Sequence, residues 1–523
     1  MVLLEAKNIK HYIKDRLLLK IDELKIEHND RIGLVGVNGS GKTTLLNILA
    51  EKFIPDEGTI TPYAQSEILP QLKKTDAAKS GGEITQEYIQ QTLNSAPALL
   101  LADEPTTNLD TDHIEWGWKK IEALAGGPSF LVSHDREFLD ALCSVIWELE
   151  DGEITEYKGN YSDYLKQKEV EKQQQQSTYE KYEKEKKQLE KAIQLKEEKA
   201  QRATKKPKNL SASERRIKGS KPYFAKKQKK LHKTAGALET RVEKLEKVEK
   251  IKDQPPIKMD LPNERNLKNR VIIRVEDLEG LVPKQLLWKK ATFQIYGGDK
   301  LAIIGPNGSG KTTLVKKIIT QENGVTISPS VKIGYFSQNL MTLDVNKSIL
   351  ENVQNSSKQE ESLIRTVLAR MHFFDEDVYK PVHVLSGGER VKVALTKLLV
   401  SDINTLVLDE PTNYLDTEAL KALENLLNEY TGSIIFVSHD RTFTENIATR
   451  ILEIRNKKIE IFDGTYQQFK NRSTKKERDF QQEEQLLLDT KISEVLSRLS
   501  MEPSQALEKE FQNLLKEKSK LKE

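Results

Sequence analysis

Two copies of one glycine-rich loop carry the most distinctive chemistry in this sequence. The pattern GxxxxGK[ST] occurs at residues 36–44 and again at residues 305–313. Such a loop turns backbone N–H groups inward around phosphates, its lysine reaches the terminal phosphates, and its hydroxyl group binds magnesium. We therefore predict two sites for ATP and Mg²⁺. The residues predicted to bind ATP are Gly36, Asn38, Gly39, Ser40, Gly41, Lys42, Thr43 and Thr44 in the first copy and Gly305, Asn307, Gly308, Ser309, Gly310, Lys311, Thr312 and Thr313 in the second.

A pair of acidic residues follows each loop. An apolar run ends at Asp103-Glu104 in the first half and at Asp409-Glu410 in the second. The aspartate suits a magnesium ion that the loop threonine also binds, and the glutamate suits polarising a water molecule. Because both patterns occur twice, chance is an implausible explanation. We predict that Glu104 and Glu410 are catalytic. The predicted magnesium ligands are Thr43, Asp103, Thr312 and Asp409.

These groups need a sheet to hold them, and both halves of the sequence provide suitable strands. Short apolar runs alternate with helical stretches, as expected of parallel strands buried on both faces. The runs begin at Arg31, Ala98 and Ser129 in the first half and at Lys300, Thr405 and Ser433 in the second. We therefore predict an α/β fold with two tandem P-loop domains. The first domain is shorter, because most of a helical insert before its SGG element is missing.

Composition argues against several other classes of protein. No apolar run approaches the roughly 18 residues that a membrane-spanning helix needs. The amino terminus mixes charged residues into its apolar ones, so we expect no signal peptide and a cytoplasmic protein. Cys143 is the only cysteine, which excludes internal disulfides, cysteine-rich zinc modules and iron–sulfur clusters.

Between the two halves, the composition changes to Lys, Glu and Gln. A heptad seam from Leu231 to Leu245 and a looser apolar seam upstream predict an antiparallel helical hairpin over residues 164–260, with its turn near Pro207 to Pro222. Residues 202–230 hold twelve basic residues and one acid, a run that favours a polyanion such as RNA. Tyr223 and Phe224 could stack on unpaired bases or cap the hairpin's own seam. The predicted RNA-binding residues of this tip are Arg215, Arg216, Lys218, Lys221, Tyr223 and Phe224.

The sequence SGGE at residues 80–83 and 386–389 gives the chain a close resemblance to ABC ATPases. In that family two domains pair head to tail. The resemblance implies that Ser386, Gly387 and Gly388 close over the nucleotide on Lys42, and that Ser80, Gly81 and Gly82 close over the nucleotide on Lys311. It also implies that Gln71 and Gln338 contact magnesium and the nucleophile, that His134 and His439 sense the γ-phosphate, and that residues 108–110 and 413–416 form dimer-contact loops. Tyr12 is a candidate for adenine stacking, or it is a core residue.

The first half departs from the family pattern beside its SGG element. Lys79 stands where the second half has Leu385, and no basic residue matches Arg390. The serine and glycines that bind phosphate are retained. We therefore expect altered kinetics at one site, with both sites active.

Two fused cassettes with a basic helical linker resemble the ABC-F class of ribosome-binding ATPases, and within it the Vga-type antibiotic-resistance proteins. The implied domains are ATPase domains at 1–163 and 261–472, the linker at 164–260 and a helical extension at 473–523. The resemblance implies a monomer that binds the tRNA exit site of the large ribosomal subunit, contacting rRNA and P-site tRNA. There it would protect against lincosamide, streptogramin A or pleuromutilin drugs. A housekeeping translation factor and the ATPase subunit of an exporter remain alternatives.

Overall fold

The structure, a computed structural model, describes most of both nucleotide-binding halves and much of the hairpin. The described residues are 1–69, 88–92, 95, 97–106, 109, 128–203, 220–245, 267–282, 285–337, 343–413, 415–472, 490–493, 495–496, 511–512 and 514. The chain divides into two compact units. One comprises Met1–Glu156 with Pro256–Glu523, and the other comprises Tyr157–Pro255. The predicted domain bounds at 163, 260 and 472 remain predictions.

The first half alternates strands and helices as predicted. Its elements are β1 (Val2–Ile13), β2 (Arg16–Glu27), β3 (Arg31–Val35), α1 (Lys42–Leu49), β4 (Glu57–Pro62), β5 (Ser66–Leu69), β6 (Leu99–Asp103), β7 (Ser129–Val132), α2 (Arg136–Leu142), β8 (Val145–Glu150) and β9 (Glu153–Lys158). The hairpin unit then contributes α3 (Tyr161–Ala203) and α4 (Ser220–Glu243).

The second half repeats this order and adds helices before its SGG element. Its elements are β10 (Val271–Val282), β11 (Gln285–Tyr296), β12 (Lys300–Ile304), α5 (Lys311–Ile319), β13 (Val325–Ile327), β14 (Ile333–Phe336), α6 (Ile349–Gln354), α7 (Glu361–Arg370), two 3₁₀ turns (Asp375–Tyr379 and Val382–Val384), α8 (Gly387–Leu399), β15 (Thr405–Asp409), α9 (Thr417–Glu429), β16 (Ser433–Val437), α10 (Arg441–Ile447), β17 (Arg450–Arg455) and β18 (Lys458–Asp463). The added helices lie between Gln338 and Ser386, where the sequence of the first half is shorter.

The two halves share one sheet topology. Among the described residues, each has a six-stranded sheet, ordered β5-β6-β7-β3-β8-β9 in the first half and β14-β15-β16-β12-β17-β18 in the second, and a three-stranded sheet, ordered β2-β1-β4 and β11-β10-β13. The strands around β3 and β12 pair in parallel, and β6, β7, β15 and β16 are buried along their whole length. The predicted α/β class and the tandem P-loop domains are confirmed. Both P-loops leave the carboxyl ends of central strands, where ligands bind in open α/β sheets.

In the described part of the hairpin unit, α3 and α4 pack against each other. Ala200 of α3 and Ala235 of α4 are buried, and Arg241 of α4 forms an ion pair with Glu185 of α3 at 3.0 Å. The predicted turn ended near Pro222, but α4 already begins at Ser220. This part of the prediction was wrong because proline is tolerated in the first turn of a helix, where no intrahelical N–H bond is lost. Residues 204–219 lie outside the described part, as does nearly all of the predicted extension at 473–523.

Within the described ranges, no helix is long and apolar enough to cross a membrane.

Candidate active site

Each P-loop ends at a glycine that starts a helix. Gly41 and Gly310 precede α1 and α5 with φ of 106° and 100°, a left-handed conformation that glycine adopts without steric cost. The lysines that follow are buried and folded back on the loop. Lys42 Nζ donates to the carbonyls of Gly36 (2.7 Å) and Val37 (3.1 Å), and Lys311 Nζ makes the equivalent two contacts. Each loop therefore holds its cation against its own backbone, at the amino terminus of a helix.

The loop threonines meet the aspartates that end the central strands. Thr312 Oγ1 donates to Asp409 Oδ1 at 3.1 Å, and the Thr43 hydroxyl lies close enough to Asp103 to affect its pKa. Burial raises the pKa of both aspartates above the ordinary value, and the neighbouring threonine hydroxyls oppose this shift. A hydroxyl and a carboxylate oxygen thus lie side by side in each half. These are hard oxygen donors of the type that magnesium prefers.

The glutamates that follow these aspartates have strained backbones. Glu104 and Glu410 have φ of 49° and 52°, a left-handed conformation that non-glycine residues adopt rarely and chiefly at functional sites. Burial raises the pKa of each carboxyl group to about 8, and the P-loop lysine of the same half opposes the shift. Each carboxylate therefore sits in a low-dielectric setting that suits a general base or a polarising group.

A histidine lies beside each glutamate. His439 Nε2 is 3.3 Å from Glu410 Oε1, and His134 Nε2 is 3.6 Å from Glu104 Oε1 and 3.2 Å from Asn38 Oδ1. Burial, with Lys42 nearby, lowers the pKa of His134 to about 3. His134 is therefore a neutral imidazole that links the P-loop to the glutamate.

Both sets of residues line one cleft of about 1010 Å³. The predicted residues that line it are Asn38, Gly39, Gly41, Lys42, Thr43, Thr44, Asp103, Glu104, His134, Asn307, Gly308, Gly310, Lys311, Thr312, Thr313, Gly388, Glu410 and His439. Gly388 belongs to the SGG element of the second half, where Ser386 caps α8 in a capping box with Glu389. An SGG element and the opposite P-loop therefore share this cleft.

The two halves also contact each other directly at the first P-loop. The backbone N–H of Asn38 donates to Asp416 Oδ2 at 3.1 Å, and Lys392 Nζ lies 3.2 Å from the same oxygen. Asp416 is buried. Although burial acts to raise its pKa, Lys392 and the N–H donors hold that pKa below the ordinary value. Asp416 therefore binds the opposite P-loop as a carboxylate.

Each P-loop carries a buried serine hydroxyl that has no hydrogen-bond partner among the described residues. Ser40 Oγ and Ser309 Oγ are buried without a hydrogen-bond partner, and so is Glu104 Oε1. Buried polar atoms without partners are rare in proteins and need an explanation such as a bound ligand or water. Two equivalent serines in this state, one in each loop, fit a phosphate group at each site.

Several predicted site residues lie outside the described part of the chain, and their roles remain predictions. These are Gln71, Gln338, Ser80, Gly81 and Gly82, the linker residues Arg215, Arg216 and Lys218, and the side chains of Lys221, Tyr223 and Phe224. Tyr12 is described and leaves 40% of its surface exposed. The cleft is lined near it by Ile13 and Leu18, with Val282 and Leu287 in the second half. Adenine stacking on Tyr12 remains a prediction.

Sequence reasoning did not single out four residues that the structure brings to the sites. Lys392 contacts Asp416, Tyr335 OH is 3.5 Å from Asp409 Oδ2, and Arg136 pairs with Glu424. Lys392 and Glu424 are charged positions on otherwise apolar faces of α8 and α9. A buried charge on an apolar helix face is a signal that could have identified them, because such charges need partners.

Two P-loop domains that share a cleft with an SGG element and contact each other through an aspartate define an ATP-binding cassette ATPase. Profiles described as ABC transporter match residues 19–78 and 288–413, and a related profile of the same description matches residues 147–224. The ribosome protection protein VmlR of Bacillus subtilis (strain 168) is 31% identical, over 98% of this chain and 96% of its own length. The erythromycin resistance ATP-binding protein MsrA of Staphylococcus epidermidis is 33% identical, over 87% of this chain and 98% of its own. The chain belongs to the ABC-F family and is an ATPase.

The fold also resembles solved structures with two such domains. The archaeal ribosome recycling factor aABCE1, solved in complex with the ribosomal stalk protein aP1, matches with a TM-score of 0.56. The match covers 85% of this chain and 87% of that chain at 17% sequence identity. This similarity supports the tandem cassette fold.

Proposed function

We propose that this protein binds the ribosome and protects the large subunit from antibiotics of the peptidyl-transferase centre, of the lincosamide, streptogramin A and pleuromutilin classes. The observation that carries the proposal is the similarity along 98% of the chain to a protein named as a ribosome protection protein. That similarity extends across the hairpin as well as both cassettes. The Vga-type resemblance of the sequence points in the same direction.

The hairpin supports contact with RNA. Lys226, Lys229, Lys230 and Lys233 of α4 are exposed, and their spacing places them along one face of the helix. Lysines in such a stripe neutralise phosphates and release counterions. We propose that this face lies against rRNA or P-site tRNA in the tRNA exit site, with the tip directed at the peptidyl-transferase centre.

ATP would bind between the two cassettes and hold them closed. Gly388 and Asp416 of the second half lie at the first P-loop, so a triphosphate held by Lys42 and Ser40 would be contacted from both halves. Thr43 with Asp103, and Thr312 with Asp409, would hold Mg²⁺, which supplies positive charge to the phosphates. Glu104 and Glu410 would polarise the attacking water, with the neutral His134 as a neighbour. Hydrolysis would then release the monomeric protein from the ribosome into the cytoplasm.

Co-sedimentation of the Glu104→Gln, Glu410→Gln double variant with ribosomes tests the ribosome proposal. These isosteric changes remove the carboxylates and leave the P-loops intact. We expect retention on 70S particles in ATP and release in ADP. The wild-type protein with ATP is the matched control and should be retained less. Absence of retention with every nucleotide would contradict the proposal and favour an exporter subunit.

Drug susceptibility separates protection from housekeeping translation. A drug-sensitive strain that expresses the protein should survive higher concentrations of lincosamide, streptogramin A and pleuromutilin drugs than the same strain without it. Erythromycin should be tested as well, because the relative MsrA is named as an erythromycin resistance protein. The tip variant Tyr223→Ala, Phe224→Ala should lose resistance while retaining ATPase activity. The variant Lys358→Ala, at an exposed ion pair with Asp402, is the control. Ribosome retention without any change in susceptibility would favour a housekeeping factor.

A further inference from the structure

Helix α9 of the second half reaches the first ATP site at its amino-terminal end. Asp416 caps the helix by accepting from Ala419 N at 2.8 Å with Oδ1, and its Oδ2 accepts from Asn38 N of the first P-loop. One carboxylate therefore fixes the start of α9 and the opposite P-loop together. The position of α9 is tied to the geometry of that loop.

The same helix contacts the first half again two turns further along. Glu424 is buried, and its Oε1 accepts from Arg136 Nη1 at 3.0 Å while its Oε2 accepts from Asn446 Nδ2 at 3.1 Å. Arg136 also donates to the carbonyl of Thr417 at the start of α9, at 3.4 Å. Arg136 thus crosses from the first half and lies along α9.

Arg136 stands two positions after His134 of the first site. Asp135, between them, caps α2 by accepting from Phe138 N at 3.0 Å, so the turn that carries His134 is fixed to the helix that carries Arg136. His134 in turn contacts Asn38. The contacts close a ring from Asn38 through Asp416, α9, Glu424 and Arg136 back to His134.

The charges in this ring favour a positioning role. Arg136 and Glu424 expose only 12% and 7% of their side chains. A buried ion pair adds little net stability compared with apolar residues, whereas removing one partner leaves a buried charge uncompensated. Its stronger effect is to impose one geometry on the groups it joins. The Arg136–Glu424 pair therefore specifies where the turn of His134 sits against the second half.

In sequence, the first half lacks a carboxylate at the position that matches Glu424. Asp110 matches Asp416 in the two halves, and the residue at the same distance after it is Trp118, which has no carboxylate and lies outside the described ranges. Arg441, the match of Arg136, lies 3.6 Å from Glu137 of the first half, whose side chain is one-third exposed. The two sites thus receive different support from the opposite half.

We infer that Glu424 is a positioning residue for hydrolysis at the first ATP site, acting across the cassette interface through Arg136 on His134. The inference rests on the roles proposed above for Glu104, Glu410 and His134. Hydrolysis at the first site then depends on Glu424 in α9 of the second half. Hydrolysis at the second site does not depend on Trp118, the residue of the first half that matches Glu424.

Each site can be measured alone in the purified full-length protein without ribosomes. The Glu410→Gln background reports the first site, and the Glu104→Gln background reports the second. We expect Glu424→Gln to lower kcat at the first site about 10- to 100-fold, because small misplacements of a positioned group cost this much. KM should change less than about twofold, since the P-loop contacts remain. The kcat of the second site, measured in the Glu104→Gln background, should change less than about twofold when Glu424→Gln is added.

Glu137→Gln is the matched control, because it removes the carboxylate beside Arg441, and it should change neither site. Arg136→Met approaches the same contact from the first half and should reproduce the effect of Glu424→Gln. The double variant Arg136→Met, Glu424→Gln should lower kcat at the first site no more than the more damaging single variant does. The reason is that the effects of residues acting through one contact are not additive. Glu424→Asp, which keeps the charge, should recover part of the rate.

Equal loss at both sites, or no loss at either, in both Glu424→Gln and Arg136→Met would overturn the inference. If Glu424→Gln fails to fold, the Arg136→Met result decides. A ribosome-binding failure in the co-sedimentation experiment would leave these rates untouched, so the two proposals fail independently. If Glu104→Gln and Glu410→Gln themselves leave hydrolysis unchanged, the roles on which the inference rests are wrong, and the inference falls with them.

Discussion

Among the described residues, the two nucleotide-binding halves share the P-loop lysine, the acid pair and the histidine, and they differ in the residues that support those side chains. Both have the same sheet order, a buried lysine on its own loop and a glutamate with a left-handed backbone. The chemistry of a triphosphate fixes the type and place of these groups, so both copies retain them. The supporting residues only have to fill space and satisfy charge, which several side chains can do.

Three positions show this divergence. Trp288 is fully buried under the second P-loop where the first half has Leu19. Tyr335, which approaches Asp409, is matched by Ile68 in the first half. Glu424, which forms an ion pair with Arg136, is matched by Trp118. Each half packs against its own core, so substitutions in one core need no matching change in the other. The two sites are therefore expected to share a mechanism and differ in rate.

The largest expected effect tests the shared mechanism. Glu104→Gln and Glu410→Gln should each lower single-turnover hydrolysis at their own site about 100- to 1000-fold, because loss of a positioned base or charge costs this much. ATP affinity, measured by fluorescent nucleotide titration, should stay within about threefold of the wild type. If only one of the two variants has an effect, the halves do not share a mechanism.

The next effect distinguishes the packing beneath the two loops. A Cβ at Gly310 would lie 2.5 Å from Trp288, whereas one at Gly41 would lie 3.1 Å from Leu18 and Leu19. Both glycines have positive φ, so both alanine variants are strained, and the indole adds a clash. We expect Gly310→Ala to lower the free energy of unfolding by about 2–4 kcal/mol and Gly41→Ala by about 1–2 kcal/mol. Denaturant titrations followed by circular dichroism measure both, and equal losses would show that the two loops are packed alike.

A smaller effect is expected beside Asp409 in the second half. Tyr335→Phe removes a hydroxyl group 3.5 Å from Asp409. Because a hydrogen bond this long is weak, kcat at the second site should fall only about two- to threefold. Hydrolysis in the Glu104→Gln background measures it. Tyr296→Phe, which removes a hydroxyl bonded to Gln294 on the surface, is the control. A loss above about tenfold would make Tyr335 a main determinant of the difference between the sites.

The smallest effect concerns Cys143, which stands where the second half has Ala448. Burial raises the pKa of its thiol from 9.0 to about 12. Because the fold favours the protonated thiol, this contribution to stability is fully present below pH 9 and is lost as pH rises from 9 towards 12. Cys143→Ala should cost about 1 kcal/mol at pH 7, and the difference should shrink above pH 9. Thermal unfolding across this range measures it. Rapid alkylation of native Cys143 at pH 8 would contradict the buried environment.

Local pattern was sufficient to predict central strands and the P-loops of both cassettes. The runs beginning at Arg31, Lys300 and Ser433 became β3, β12 and β16 with the predicted first residue, because strands buried on both faces read as continuous apolar runs. The glycine spacing of the P-loops predicted their turns, since few other residues adopt positive φ. The start of α4 at Ser220 was missed because proline looks like a helix breaker in sequence, although the first turn tolerates it.

The sequence by itself determined that the chain holds two phosphate-binding loops, two acid pairs and a charged helical segment between them, because each depends on neighbouring residues and their spacing. Only the tertiary structure decided that Asp416 lies on the P-loop of the other half, that Glu424 meets Arg136, and that Tyr12 is half-exposed while Ile13 lines the cleft. Glu424 and Arg136 are 288 positions apart. No local periodicity relates residues so distant, so their pairing depends on how the folded halves pack against each other.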